Sequence, residues 1–269
     1  MPRFTQVDAF ADRPFTGNPA AVIPLDTWLP DTVLTAIAAE NNLSETAFLL
    51  ATPGGPADHE LRWFTPTSEI AMCGHATLAA GHVLLGDDLS LTHVRFATRQ
   101  AGVLEVRRAD DGYMLDLPAT GMTAATAGDV RVAPLLAALG VVDAPVFFSA
   151  PPVQETAVIL LPDEAAVRAL APDMKALAAI RLMAICTAPG DRTDMVSRVF
   201  VPAWGVDEDP VTGSAHAALA PWWSARLGRP ETTAHQASAR GGDMRCRVAG
   251  DRVVLTGRCV TVIEGVFAV

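Results

Sequence analysis

Glu45 is the side chain best placed for acid–base chemistry in this sequence. It lies in residues 41–48 (Asn-Asn-Leu-Ser-Glu-Thr-Ala-Phe), between a predicted helix and an apolar predicted strand. A carboxylate at the start of a buried strand is partly shielded from water, and such shielding suits a general acid or base. A glutamate at a strand end is more often an ordinary surface residue. The polar residues crowded around this one favour the catalytic interpretation.

Two glycines, Gly74 and Gly213, stand at the starts of predicted helices in similar surroundings. Residues 73–76 (Cys-Gly-His-Ala) align with residues 212–215 (Thr-Gly-Ser-Ala), and each group precedes an Ala-rich helix. This is a candidate internal repeat. Backbone N–H groups at a helix N-terminus carry partial positive charge and can bind a carboxylate or an enolate oxygen. The alternative is that both glycines only allow tight strand-to-helix turns.

Further polar side chains lie close to these two helix starts. His75 follows Gly74, where the helix dipole favours the neutral imidazole. Asp209 and Ser214 flank Gly213, which would place a carboxylate beside a group of backbone donors. Each also has a purely structural interpretation, because an apolar helix can bury a histidine and acidic residues commonly cap helices.

Several enzyme classes lack their motifs here. The sequence has no GxGxxG after a strand, no GxxxxGK[ST], no HExxH and no GxSxG. The remaining histidines do not cluster with carboxylates at metal-ligand spacing. We therefore expect no metal and no cofactor, and the surviving hypothesis is acid–base chemistry on a small carboxylic acid.

Composition and charge limit the partners. A net charge of −10 and a pI near 5 disfavour nucleic acid, and no window is rich enough in basic residues for an anionic membrane. The four cysteines are scattered, no apolar run is long enough to cross a bilayer, and the N-terminus does not look like a signal peptide. These features predict a cytoplasmic protein with reduced thiols.

The predicted elements indicate an α+β fold. Many short strands alternate with few helices, which disfavours a parallel βαβ sheet, and turns such as the one at 111–112 favour antiparallel hairpins. The clearest helix is 31–40, with Asp31 as its expected cap. Further helices are predicted at 75–85 and 214–227. A linker is predicted at 117–130, and 269 residues suit two domains, which we place at 1–120 and 121–269.

Taken together, these segments resemble the PhzF-like family, the phenazine-biosynthesis-like isomerases of the diaminopimelate-epimerase fold. The resemblance covers almost the whole chain. In chain order the matching segments are residues 7–10, 15–22, 43–48, 62–66 with Glu69, 73–77, 198–202, 208–216 and 240–242.

The resemblance implies two similar domains, each a barrel-like, mostly antiparallel sheet around a central helix, with the last strand of the chain able to pack on the first domain. It also implies a site between the domains, a homodimer and no cofactor. Glu45 would be the proton shuttle, assisted by His75, Asp209 and Ser214. Backbone N–H groups of Gly74 and Gly213 would bind the substrate carboxylate, and Asn18 would help to shape the binding site.

Cys73 decides between two kinds of chemistry. Racemases and epimerases of this fold use one thiol from each half, and Cys73 matches the first. The corresponding turn of the second half, residues 209–212, contains no cysteine, so an isomerisation with Glu45 on one face of the substrate is favoured. A racemase using Cys73 and a non-catalytic binder of small carboxylates remain as alternatives. The sequence does not name the substrate.

Overall fold

The computed structural model describes residues 1–149 and 155–268. Their contacts divide the chain into two compact units. The first unit comprises Met1–Leu117 and Val254–Val269, and the second comprises Pro118–Val253. The second unit therefore ends before the C-terminus of the chain, and the last strand belongs to the first unit.

The described residues form eighteen strands and six α-helices, a mixed α+β fold as the sequence predicts. In chain order the elements are β1 (Arg3–Ala9), β2 (Asn18–Leu25), α1 (Asp31–Asn41), β3 (Glu45–Ala51), β4 (His59–Phe64), β5 (Glu69–Ile70), α2 (Gly74–Asp87), β6 (His93–Thr98), β7 (Val103–Ala109), β8 (Gly112–Pro118), β9 (Met122–Ala124), α3 (Val132–Leu139), β10 (Val146–Ser149), β11 (Thr156–Leu160), α4 (Glu164–Arg168), α5 (Met174–Ile180), β12 (Met183–Ala188), β13 (Met195–Val201), β14 (Val206–Asp209), α6 (Gly213–Leu227), β15 (Glu231–Gln236), β16 (Gly242–Ala249), β17 (Arg252–Gly257) and β18 (Cys259–Val266). A 3-10 turn at Pro202–Trp204 precedes β14.

The strand pairing of the first unit recurs in the second. In the first unit β2 and β3 are parallel, β3 and β4 antiparallel, β4 and β5 antiparallel, and β4 and β6 parallel. The series β11, β12, β13, β14 and β15 has the same pairings in the same order. In each series a glycine-led helix connects the last two strands: α2 lies between β5 and β6, and α6 lies between β14 and β15. The alignment of residues 73–76 with 212–215 therefore reflects equivalent positions in the two units.

A partly buried ion pair marks the equivalence of the two units at the level of side chains. Arg62 on β4 donates to Glu69 on β5, and Arg198 on β13 donates to Glu208 on β14, in each case through two guanidinium nitrogens. Bidentate pairing of this kind fixes the geometry of both partners. Each pair connects the strand that leads toward a glycine-led helix with the strand before it.

Helix α2 is the central helix of the first unit. It contacts β1, β2, β3, β6, β7 and β18, and ten of its residues are buried. Gly81 allows this close packing, because a Cβ atom there would lie 2.4 Å from Val106 of β7. A helix with apolar residues on all sides is stable only inside a core, which is where the strands place it.

Two sequence expectations need correction. Asp31 does not cap α1; Pro30 is the N-cap, and the Asp31 carboxylate instead accepts a hydrogen bond from Arg62. The predicted linker at 117–130 contains β9, which pairs with β10. The strands pair mostly antiparallel, as expected. The parallel pair β2–β3 is connected through α1, and the parallel pair β4–β6 is connected through β5 and α2.

Within the part of the chain that the structure describes, none of the helices combines the length and apolar character needed to cross a membrane.

Candidate active site

Three elements of the first unit bring polar side chains to one point. Glu45 is the first residue of β3, opposite Ala20 of the parallel strand β2. Asn18 is the first residue of β2, and His75 is the second residue of α2. Because β2 and β3 run in the same direction, their first residues lie at the same edge, where α2 begins.

His75 is the centre of the resulting cluster. Its Nε2 lies 3.0 Å from Glu45 Oε2, and its Nδ1 lies 3.1 Å from Asn18 Nδ2 and 3.5 Å from Cys73 Sγ. The His75 side chain is 4% exposed and that of Glu45 is 15% exposed. Glu45 is therefore shielded yet reachable, as an acid–base residue must be. The Glu45 and His75 atoms are close enough for an ion pair, although their angles fall short of a hydrogen bond.

The electrostatic surroundings of His75 differ from the sequence expectation. Burial opposes the charged imidazolium, but the neighbouring Cys73 and Glu45 outweigh it and raise the pKa of His75 well above its ordinary value. This direction is opposite to the one expected from the helix dipole alone. A carboxylate at 3.0 Å acts more strongly than the partial charge of a helix end.

Cys73 is a buried thiol at the N-cap of α2. Burial, reinforced by the charge of Glu45, raises the pKa of Cys73 to about 11. The thiol is therefore protonated at neutral pH, whereas a thiol that serves as a base must be a thiolate.

Glu45, Cys73 and His75 also form the one group of potential metal ligands among the residues that the structure describes. We do not interpret them as ligands. A metal ion would need one ring nitrogen of His75 facing both other groups, whereas Nε2 faces Glu45 and Nδ1 faces Cys73.

In the second unit, Asp209 belongs to a hydrogen-bonded turn that leads into α6. Thr212 Oγ1 donates to Asp209 Oδ2, and the side chain of Gln236 receives a hydrogen bond from Thr212 N at 2.8 Å. Gln236 Nε2 in turn donates to the backbone oxygen of Asp209 at 2.6 Å. These contacts fix the Asp209 carboxylate beside the start of α6, where Gly213 is buried and Ser214 is half-buried.

The two glycine-led helices begin in the same way. Cys73 and Thr212 are the extended N-cap residues, and neither helix has a side-chain cap among the described residues. The residue four positions after each N-cap bonds to the N-cap carbonyl instead: Thr77 Oγ1 at 2.6 Å and His216 Nδ1 at 2.8 Å. Uncapped first-turn N–H groups are the feature that an anion-binding helix start requires.

The structure thus gathers Glu45, His75, Asn18 and Cys73 in the first unit, and Asp209, Gly213 and Ser214 in the second. Sequence analysis missed Ser44, whose Oγ donates to Asn18 Oδ1 at 3.0 Å. Its position next to Glu45 was the available signal. It also missed Gln236, for which the sequence offers no signal, because its contact with Thr212 joins residues far apart in the chain.

Fold and site define a class of protein: an α+β chain with a repeated strand pattern, two glycine-led helices and a carboxylate–imidazole pair. Residues 7–265 match the family described as phenazine biosynthesis-like protein, PhzC-PhzF. An uncharacterized isomerase of Pseudomonas aeruginosa is 48% identical over 263 residues, which are 97% of this chain and 96% of that relative. The chain belongs to the phenazine biosynthesis-like (PhzC-PhzF) family.

Solved structures agree with this assignment. A putative phenazine biosynthesis PhzC/PhzF protein from Clostridium difficile superimposes with a TM-score of 0.88 at 37% identity, covering 100% of both chains. A predicted epimerase from Pseudomonas aeruginosa, 21% identical and also covered in full, has a TM-score of 0.76. The second likeness shows that the fold is epimerase-like.

Proposed function

We propose that this protein is an isomerase that shifts a proton on a small carboxylate substrate, with Glu45 as the general acid and base. The Glu45–His75 pair, 3.0 Å apart and mostly buried, is the observation that carries the proposal. The isomerase name of the Pseudomonas aeruginosa relative supports the reaction class.

The reaction needs no oxidant or co-reactant. A C–H bond of the substrate breaks, its proton moves to Glu45, and the electron pair delocalises toward the carboxylate. Glu45 then returns a proton to a different carbon of the same conjugated system. His75 Nε2 lies 3.0 Å from Oε2, the buried oxygen of Glu45, and Oε1 is therefore the oxygen proposed to take the substrate proton. Partial shielding of the carboxylate from water supports both steps.

Backbone N–H groups of Gly74 and Gly213 are proposed to bind the substrate carboxylate and to stabilise the negative charge that develops in the reaction. The uncapped starts of α2 and α6 support this role. Asp209 and Ser214, which belong to the second unit, are proposed to assist the reaction. The substrate contact proposed for Asn18 stays a prediction.

A homodimeric state, independence of cofactors and a cytoplasmic location belong to the same proposal, and they rest on the family resemblance and the sequence pattern. Sedimentation tests the first. Unchanged turnover after dialysis against a chelator, with the absorbance spectrum of the purified protein free of chromophore bands, tests the second.

The second candidate function is a racemase or epimerase that uses Cys73. The epimerase-like fold and the 3.5 Å contact between Cys73 Sγ and His75 Nδ1 favour it. The high pKa of the thiol argues against it. Thr212 also occupies the position equivalent to Cys73 in the second unit, so the second thiol of a two-base reaction is missing.

The test is a screen of amino and unsaturated cyclic carboxylic acids in deuterated water, followed by proton NMR. The active acid should exchange a carbon-bound proton and convert to an isomer. Glu45→Gln should abolish both. Glu40→Gln, which changes an exposed glutamate of α1, is the matched control and should behave as the wild type. Undiminished isomerisation by Glu45→Gln would refute the role of Glu45.

A further inference from the structure

The second ring nitrogen of His75 is the end of a short hydrogen-bonded chain that the proposed reaction does not use. Ser44 Oγ donates to Asn18 Oδ1 at 3.0 Å, and Asn18 Nδ2 lies 3.1 Å from His75 Nδ1. Asn18 is fully buried, with 0% of its surface exposed. Ser44 is the residue immediately before Glu45, so the chain starts and ends beside the same carboxylate.

The direction of these hydrogen bonds limits where the proton of His75 can lie. An amide nitrogen only donates, so the ring nitrogen facing Asn18 Nδ2 must accept. The single proton of the neutral ring then lies on Nε2, which faces Glu45 Oε2. A doubly protonated ring would place an N–H of His75 against an N–H of Asn18. Such a contact is repulsive, and the other neighbour of Nδ1 is Cys73 Sγ at 3.5 Å, which is only a weak acceptor for that N–H.

Two influences on His75 therefore act in opposite directions. Negative charge on Cys73 and Glu45 raises its pKa, while the amide of Asn18 opposes a proton on Nδ1. The contribution of Cys73 requires a thiolate, and with a pKa of about 11 that thiol is neutral at physiological pH. Glu45 on β3 then remains as the charged group that acts on His75. The neutral ring with its proton on Nε2 already presents a polar hydrogen on the side of Glu45, so a second proton on Nδ1 is not required.

We propose that Asn18, oriented by Ser44, holds His75 as the neutral tautomer with its proton on Nε2. Asn18 and Ser44 are positioning residues in this account: they act on Glu45 through His75. The tautomer keeps the ring uncharged, with its one N–H on the nitrogen that lies 3.0 Å from the buried oxygen of Glu45, and so keeps that carboxylate ready to accept a substrate proton. A doubly protonated His75 would pair with Glu45 as a full ion pair and make it a weaker base. This inference rests on the proposed function for its catalytic meaning, but the tautomer itself is measurable without substrate.

The experiment is long-range proton–nitrogen NMR of the full-length protein labelled with nitrogen-15 in histidine, with the His75 signals assigned by their loss in His75→Gln. At neutral pH the wild type should show one protonated nitrogen, Nε2, and one unprotonated nitrogen, Nδ1. Asn18→Asp puts an acceptor against Nδ1 and should convert the ring to the doubly protonated form, with the titration of His75 shifted upward by at least about one pH unit. Ser44→Ala should allow a mixture of states, and Ser44→Thr, which keeps the hydroxyl, should restore the wild-type spectrum.

Asn41→Asp is the matched control. Asn41 also donates a side-chain hydrogen bond near Glu45, to Thr46 Oγ1 at 3.0 Å, but among the described residues it makes no hydrogen bond to His75. It should leave the His75 signals unchanged, and thermal melting of each variant checks that the fold is intact. A wild-type His75 doubly protonated at neutral pH, or signals unmoved by folded Asn18→Asp, would overturn the proposal. The outcome is independent of the isomerase proposal. Glu45→Gln can lose turnover even if the tautomer assignment fails, and the tautomer assignment can hold even if Glu45→Gln keeps its turnover.

Discussion

Replacement of Cys73 by serine separates the two candidate reactions most simply. With a pKa of about 11, only about one Cys73 thiol in 10⁴ is ionised at pH 7. A free cysteine with a pKa near 8.5 would be about 3% ionised, so burial and Glu45 lower the thiolate population roughly 300-fold. A group so rarely ionised makes a poor base. Cys73→Ser should therefore reduce kcat/KM less than about tenfold, the range expected for a small packing change rather than for the loss of a general base.

The assay has two parts. Turnover of Cys73→Ser is followed across pH 6 to 9, and its pH profile should overlay that of the wild type, because the thiol carries no charge in that range. Alkylation of the wild type by iodoacetamide at pH 7, read by mass spectrometry, should modify Cys73 at least about 300-fold more slowly than free cysteine. A loss of turnover of about 100-fold or more in a folded Cys73→Ser, together with rapid alkylation, would refute the reasoning and favour the racemase.

Two further predictions concern the elements that carry the site. Gly81→Ala should destabilise the protein by about 1–3 kcal/mol in urea unfolding, because its Cβ would lie 2.4 Å from Val106; Gly86→Ala on the same helix meets nothing within 4 Å and should stabilise by up to about 1 kcal/mol. Equal effects of the two would contradict the packing of α2. Burial lowers the pKa of His216 to about 4, so the unfolded chain takes up the proton first as the pH falls. Because the pKa of His216 is lower in the folded than in the unfolded chain, the free energy of unfolding should fall by at most about 3 kcal/mol as the pH drops from 6.5 toward 4, with no loss from this residue above pH 6.5. Urea midpoints that fall as steeply in His216→Gln would exclude that origin.

Local sequence signals located the helices that carry the site with good accuracy. Residues 75–85 and 214–227 were predicted helical, and the structure has Gly74–Asp87 and Gly213–Leu227. Alanine-rich apolar runs that follow glycine make such helices recognisable, because both the start and the interior leave a local signal. The strand that begins at Glu45 was predictable for the same reason, since an apolar run follows a polar segment.

Contacts between distant segments were not predictable. Asp31 looked like a helix cap because that inference uses neighbouring residues only; Arg62, from another strand, takes the carboxylate instead. The same limit applies to the site. Glu45 and His75 were recognisable from the sequence, but their 3.0 Å approach was not, since it depends on how β3 packs beside α2. The partners on the other ring nitrogen became visible only with the three-dimensional arrangement.

The most direct test of the central claim follows the migrating atom itself. The substrate is deuterated at the carbon that loses its proton, the reaction is run in ordinary water, and product is analysed by mass spectrometry at low conversion. If Glu45 alone carries the proton from one carbon to the other, some deuterium should appear at the new position, because a shielded carboxyl group holds a single proton that can return before it exchanges. Product that contains only solvent protons at that position, with turnover retained in Glu45→Gln and lost in Cys73→Ser, would contradict the account.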